Sequence, residues 1–252
     1  MRVTEDRFLG GRLLLCQPAK GFRAGSDSVL LAAAVPAVAG ETALDLGCGV
    51  GAGALCLAAR VAGVRVVGLD LQSEMVELAR QNAAHNNLEM QAEFHIGDVA
   101  DPPAALVPGS FDHVFANPPY FQAGRSNRPA DPSRALARTD VSGQLAAWVR
   151  CMIAMARPGG SLTVIHRSER LAELTDLLAD GAGDIAVLPL LAHADRPAKR
   201  VIVRATKWVR ARKGARGEPR RLPGLVLHRP DGAYTDELEA ILRGGGPLRL
   251  HS

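Results

Sequence analysis

From Thr42 onward, short apolar runs alternate with stretches whose apolar residues recur every three or four positions. The runs are 42–47 (TALDLG), 64–70 (VRVVGLD), 92–98 (AEFHIGD), 111–119 (FDHVFANPP), 161–166 (SLTVIH), 184–190 (DIAVLPL) and 200–208 (RVIVRATKW). Short, nearly continuous runs rich in Val, Ile, Leu and Phe are the pattern of strands buried on both faces. Between them, 52–62, 74–87, 143–160 and 169–180 have helical spacing. Ser73 is predicted to cap the second of these helices, and Pro158, Gly159 and Gly160 to stop the third. Alternation of strand and helix predicts a parallel sheet with helices on both faces. The last two runs follow one another with only a loop between them, so they are expected to pair antiparallel. The fold class is therefore α/β, with a mostly parallel seven-stranded sheet and a final antiparallel strand. No internal repeat is visible.

Two segments interrupt this pattern. Residues 122–140 are polar and proline-bearing, and residues 210–224 are basic and rich in breakers. Either can be a substrate loop or a long linker. The expected organisation is an N-terminal segment (1–41), one α/β domain (42–209) and a basic loop with a C-terminal elaboration (210–252) packed on the same domain.

Ligands of an open parallel sheet bind at the carboxyl ends of its strands. Asp45 and Gly47 close the first run and Gly49, Gly51 and Gly53 follow it, a loop able to turn tightly and approach a ligand closely. Gly47, Gly49 and Ala52 also fit the relaxed dinucleotide fingerprint. Asp70 ends the second run, where an acid can accept both hydroxyls of a ribose. That too fits a nicotinamide or flavin cofactor as well as other adenosine cofactors. Asp98 follows the third run. Each acid alone is also compatible with a helix cap or a turn.

Together, the glycine loop preceded by Asp45, then Asp70, then Asp98 after FHIG, resemble the S-adenosylmethionine-dependent methyltransferases of the Rossmann-like class, over roughly residues 21–207. The resemblance implies that the loop from Gly47 to Gly51 passes the amino acid portion of S-adenosylmethionine. It implies that Asp70 holds the ribose, with Leu71 beside it, and Asp98 the adenine amine, with Val99 beside it. Asp45 would organise the loop.

The fourth run ends in Asn117-Pro118-Pro119-Tyr120, followed by Phe121. Prolines cannot donate ladder hydrogen bonds, so pairing stops there. One explanation is a stiff turn. The other is a turn that aims an amide and a ring into a pocket. The nitrogen lone pair of a planar amine is delocalised; acceptors on its hydrogens free that lone pair for attack. The Asn117 side-chain oxygen and the Pro118 carbonyl can serve as those acceptors, and Tyr120 can stack on the planar target. Asn-Pro-Pro-Tyr resembles the motif of amino-group methyltransferases, both those of adenine N6 and those of a glutamine side chain. A further resemblance lies before the first strand, in Phe22, Arg23, Gly25, Asp27 and Leu30, and in the tail LVLHRPDGAYTDELEAILR. Both are similar to the bacterial tRNA adenine-N6 methyltransferases acting beside the anticodon of valine tRNA. That family places Arg23, Gly25 and Asp27 in a segment closing over the cofactor. Asn117 would then touch cofactor and target alike. Methylation of another amine, a protein glutamine or a small molecule, and a non-catalytic RNA-binding protein of the same fold, are the alternatives.

Charge adds a partner. The formal net charge is +4, yet residues 195–229 hold twelve Lys or Arg against two acids, a net of +10, so the remainder sums to −6. A basic strip on an acidic body suits a polyanion, here tRNA or another structured RNA. Lys207, Arg210, Arg212 and Lys213 are the expected phosphate contacts, with Tyr120 and Phe121 contacting the base. Cys16, Cys48, Cys56 and Cys151 form no Cys-x-x-Cys pair and are expected to be reduced thiols. No zinc-ligand spacing is present, so no metal is expected. With no membrane-length apolar stretch and no export signal in MRVTEDRF, a cytoplasmic monomer or homodimer is expected.

Overall fold

The computed structural model describes residues 2–21, 23–119, 141–209 and 217–250, the side chains of 141–144 excepted. A hairpin opens the chain, β1 (Val3–Phe8) and β2 (Leu13–Pro18), followed by α1 (Ser26–Ala34). Then come β3 (Thr42–Leu46), α2 (Ala52–Arg60), β4 (Arg65–Asp70), α3 (Ser73–His85), β5 (Ala92–Ile96) and β6 (Phe111–Ala116). The remainder is α4 (Val141–Met155), β7 (Ala156–Arg167), α5 (Leu171–Leu178), β8 (Ala182–Leu191), β9 (Arg200–Lys207), β10 (Arg220–Arg221), β11 (Leu225–Val226) and α6 (Asp236–Leu242).

The seven expected strands form one sheet in the order β8-β9-β7-β6-β3-β4-β5. All neighbours run parallel except β9, which is antiparallel to both β7 and β8. The last two runs thus pair as expected, with β9 inserted between β7 and β8. Among the described residues, two short strands extend the sheet beyond the expectation: β10 and β11 both pair with the outer side of β8.

Because the strands are buried on both faces, the sheet divides the core in two. Alternate residues of β3 show this: Ala43 packs with α1, α2 and α3, and Leu44 and Leu46 pack with α4 and α5. α1 is buried from Ser28 to Ala34. A helix apolar all round is covered all round, here by α2 and α6. The Arg60 guanidinium closes its end, donating to the carbonyls of Ala32 (3.0 Å) and Val35 (2.6 Å), at the turn where helix carbonyls run out of intrahelical donors. Among the described residues, no helix is long and apolar enough to cross a membrane.

Two local expectations are corrected. Ser73 is the first residue of α3, not its cap. Gln72 occupies the cap without a side-chain bond, and the Ser73 hydroxyl turns to Glu74 (3.2 Å). The third predicted helix ends at Met155, ahead of its breakers, because Ala156 already pairs with Phe111. Pro158 to Gly160 instead sit in β7 where its register with β6 slips. Gly160 passes so close that a Cβ would stand 2.8 Å from the Asp112 carbonyl oxygen.

The hairpin had no forecast in the hydrophobic pattern. Its β2 edge is held by two amides one turn apart, Asn82 on α3 and Asn86 just past its end. Asn82 accepts from the Cys16 N–H (2.7 Å) and donates to the Cys16 carbonyl (3.0 Å). Asn86 does the same for Leu14, at 2.9 and 2.8 Å. The two side chains thus act as a substitute strand.

His166, on β7, is buried. Burial, aided by the Arg170 charge, holds its imidazole down at about 4, against an ordinary value of 6.5. As the pH falls below 6.5, the unfolded chain takes up this proton while the folded chain resists until about 4. Stability is therefore lost across that window, on the order of 3 kcal/mol in all. Denaturant melts between pH 7 and about 4 should show this decline. His166→Gln should flatten it; an undiminished slope would show that His166 is not its source.

Candidate active site

The loop between β3 and α2 is fixed from below by Asp45. This carboxyl is buried, and its Oδ2 accepts the Ala54 N–H at 3.0 Å, at the start of α2. Burial pushes it well above the usual carboxylate range, the Ala54 amide opposing and the Asp70 charge adding to the rise. Gly53 follows from the same contact, since a Cβ there would lie 2.9 Å from Asp45 Oδ2.

The loop is stapled sideways to the end of β4. The N–H groups of Gly47 and Cys48 both donate to the Leu69 carbonyl (2.7 and 3.0 Å). The Gly49 N–H donates to Asp70 Oδ2 (2.8 Å), while Asp70 Oδ1 accepts from the Gln72 N–H (2.9 Å). Burial pushes the Asp70 carboxyl up, against the opposing amides of Gln72, Gly49 and Leu71. Gly47 (φ 66°) and Gly51 (φ 82°) lie in the left-handed region, where a side chain is strained. Space forbids one as well: a Cβ on Gly47 would meet Trp148 at 2.3 Å, and one on Gly51 would meet Phe94 at 2.9 Å. Among the described residues, nothing lies within 4 Å of where a Cβ on Gly49 would stand, so there the loop's middle faces open space.

Strand register sets what shares that space. Leu46 pairs with both Leu69 and Ala116, and Asp70 pairs with Ile96. The next residues, Gly47 and Asn117, therefore stand side by side on a row that continues through Asp70 to Ile96. Neighbouring strands are about 4.8 Å apart, so Asn117 lies about 10 Å across the row from Asp70. Asn117 is half-buried, Pro118 buried and Pro119 exposed. Tyr120 and Phe121 lie outside the described residues.

Further along, Leu71 and Ile96 are large apolar side chains left 54% and 48% exposed at adjacent strand ends. Asp98 is exposed, one oxygen accepting the Ala100 N–H at 2.8 Å, and Val99 packs against the α4 side of the core. These residues fit an adenosine cofactor: an acid with lone pairs beyond those its backbone bonds use, an apolar ledge beside it, and an open glycine loop. Among the described residues, no group of three His, Cys, Asp or Glu is arranged to hold a metal.

The N-terminal segment reaches the same edge. Asp27 pairs with Arg200 at the start of β9, which lies opposite Arg167 at the carboxyl end of β7. Arg23 is tied to the hairpin through Asp6, Thr4 (2.6 Å) and the Pro18 carbonyl (3.1 Å). Gly25 precedes α1 and, among the described residues, nothing lies within 4 Å of where a Cβ would stand.

Lys207 is not brought to this edge. It pairs with Ala182 at the start of β8, and its Nζ donates to the Ala156 carbonyl at 2.7 Å, at the start of β7. Antiparallel β9 runs away from the site, so seven residues of strand, about 23 Å, separate Lys207 from Arg200. Arg210, Arg212 and Lys213 lie outside the described residues.

Three residues went unread in the sequence. Asn82 is buried, and besides holding β2 it donates to the Val50 carbonyl (3.0 Å), tying the hairpin to the glycine loop. Its signal was present: a polar residue on the helix face of Val76 and Ala79, where an apolar one was due. Ile96 and Trp148 gave no such signal, because Ile96 is placed beside Asp70 by sheet order and Trp148 against Gly47 by the packing of α4.

Residues 37–196 match the family model described as "Methyltransferase domain". A protein of Aeromonas hydrophila named tRNA1(Val) (adenine(37)-N6)-methyltransferase is 30% identical over 220 residues, 85% of this chain and 86% of that one. A Porphyromonas gingivalis protein of the same name is 32% identical over 182 residues, 68% of this chain and 69% of that one. Among solved structures, a protein from Agrobacterium tumefaciens described as a predicted O-methyltransferase superposes with TM-score 0.71 at 24% identity, covering 88% of this chain and 97% of that one; the likeness is one of fold. With the acids, the open glycine loop and the Asn-Pro-Pro turn on one edge, the chain belongs to the methyltransferase-domain family that includes these relatives, and is an S-adenosylmethionine-dependent methyltransferase.

Proposed function

We propose that this enzyme methylates the N6 of an adenine in tRNA. The observation that carries the reading is the register that sets Asn117 beside Gly47, on the row of Asp70. An acceptor for an amine then stands next to the loop assigned to the cofactor. The names of the two relatives supply the class of substrate.

Asp70 accepts the ribose hydroxyls while it holds Gly49, so one carboxylate both shapes the loop and binds. Asp98 accepts from the adenine amine of the cofactor, and Leu71, Ile96 and Val99 cover its base. Arg23, Gly25 and Asp27 border the mouth. S-adenosylmethionine, when bound, supplies a methyl group activated by its sulfonium. The chain's part in transfer is to present the amine. The Asn117 amide oxygen and the Pro118 carbonyl accept its two hydrogens and turn its lone pair toward the methyl group. Pro118 and Pro119 hold that turn rigid, so alignment does not have to be reached during reaction. Tyr120 and Phe121 stack on the flipped base. The proton leaves to water after transfer, and no dedicated base is required.

Two variants separate binding from transfer. Asp70→Ala removes charge-assisted bonds worth about 1.5–3 kcal/mol, so cofactor affinity should fall roughly ten- to hundredfold. Calorimetry giving wild-type affinity would remove Asp70 from the site. Asn117→Ala should leave cofactor affinity near wild type and slow single-turnover transfer to tRNA on the order of a hundredfold. If instead stability and cofactor binding fall together with no selective loss of transfer, Asn-Pro-Pro-Tyr is only a stiff turn.

A further inference from the structure

Beyond the transfer site, three partly exposed rings are grouped at the same edge of the sheet. His228 and Tyr234 have centroids 5.2 Å apart, tilted by 44°, and His193 and His228 are 5.7 Å apart at 41°. We propose that His193, His228 and Tyr234 form a stacking platform for unpaired bases of the RNA substrate. The proposal rests on the tRNA reading above.

The platform is built rigidly. His228 forms an isolated β-bridge with Tyr234 across a tight turn. In that turn the Arg229 N–H donates to the Ala233 carbonyl (2.8 Å), and the Gly232 N–H to the Arg229 carbonyl (3.0 Å). Asp231 accepts from the Ala233 N–H (3.0 Å). The His228 N–H and its Nδ1 both reach the Ala192 carbonyl, at 3.1 and 3.2 Å, fixing the ring against the neighbouring loop. The Arg196 N–H donates to the His193 carbonyl (3.1 Å), and the Ser168 N–H to the Lys199 carbonyl (3.1 Å), so that loop is tied to the end of β7.

Its place is suited to a substrate already held at Asn117. His193 and His228 follow β8 and β11 at their carboxyl ends, and β8 is three strands from β6. The lateral offset from β6 is about 14 Å at β8 and about 19 Å at β11, within reach of nucleotides flanking a flipped base. Tyr234 is 37% exposed, a large ring left in water by a chain with only two tyrosines.

The charges decide which physics dominates. Arg196, Lys199 and Arg229 are exposed here, but so are Asp195 and Asp231, and Asp236 pairs with Arg229. The patch is close to neutral, so stacking, which every base can satisfy, carries the affinity rather than phosphate neutralisation.

The test is fluorescence anisotropy of labelled tRNA with the full-length protein, repeated across salt concentrations, beside tRNA methylation and thermal melts. Tyr234→Ala should weaken tRNA binding roughly five- to hundredfold, with the salt slope, the cofactor affinity and the melting temperature unchanged. Tyr234→Phe should bind as wild type, because the ring face is retained. Wild-type tRNA affinity in Tyr234→Ala, while the wild-type enzyme methylates tRNA, overturns the platform alone. A wild-type enzyme that neither binds nor methylates tRNA overturns the tRNA reading and the platform with it.

Discussion

The site depends on where the backbone N–H groups after β3 can find partners. A polypeptide turning sharply out of a buried strand leaves amides that must be satisfied. Here the Leu69 carbonyl takes two and Asp70 takes a third. Asp45 takes one more from below, at the start of α2. All these acceptors belong to β3 and β4. The two strands and their loop therefore form one hydrogen-bonded unit, and the open space above Gly49 is a consequence of how that unit closes.

The unit also explains the N-terminal hairpin. A two-stranded hairpin alone is marginal in water. This one is stabilised by Asn82 and Asn86, and Asn82 reaches onward to Val50 in the glycine loop. On its other side, Arg23 joins Asp6 and Asp27 joins Arg200. The segment before the first core strand is thereby locked to both halves of the sheet's carboxyl edge. A buried amide with all its partners present is costly to remove, since each orphaned group is left without water. That gives Asn82 a structural reason to be polar in an apolar setting.

Much of this was legible in the sequence. The seven strands, the alternation with helices and the antiparallel pairing of the last two runs follow from period and length. Asp45, the glycine loop, Asp70 and Asn117 were legible because each stands at or next to the end of an apolar run, and strand ends are where a parallel sheet binds. Three kinds of fact were not legible. Sheet order put β9 between β7 and β8; its antiparallel direction, which was legible, is what carries Lys207 to the edge away from the site. Local competition moved a helix boundary: Ala156 gains a strand partner in Phe111 before the breakers at Pro158 can act. Side-chain pairing replaced a strand, as Asn82 and Asn86 do for β2, and no backbone period encodes that.

Among the described residues, the basic strip read along the chain is consequently divided between two surfaces. Arg196, Lys199 and Arg200 stand at the carboxyl edge, and Lys207 stands at the amino edge near the Glu41–His113–Ser161 network, whose two bonds are each 2.8 Å. Charge summed over sequence joins what topology separates. The central claim, that the carboxyl edge transfers a methyl group to an adenine amine of tRNA, is tested most directly by product identity. Purified enzyme, tRNA and isotopically labelled S-adenosylmethionine are incubated, and the nucleosides are resolved by mass spectrometry. The account predicts the label in N6-methyladenosine. Label confined to another nucleoside, or found on a protein glutamine with none in tRNA, would contradict it.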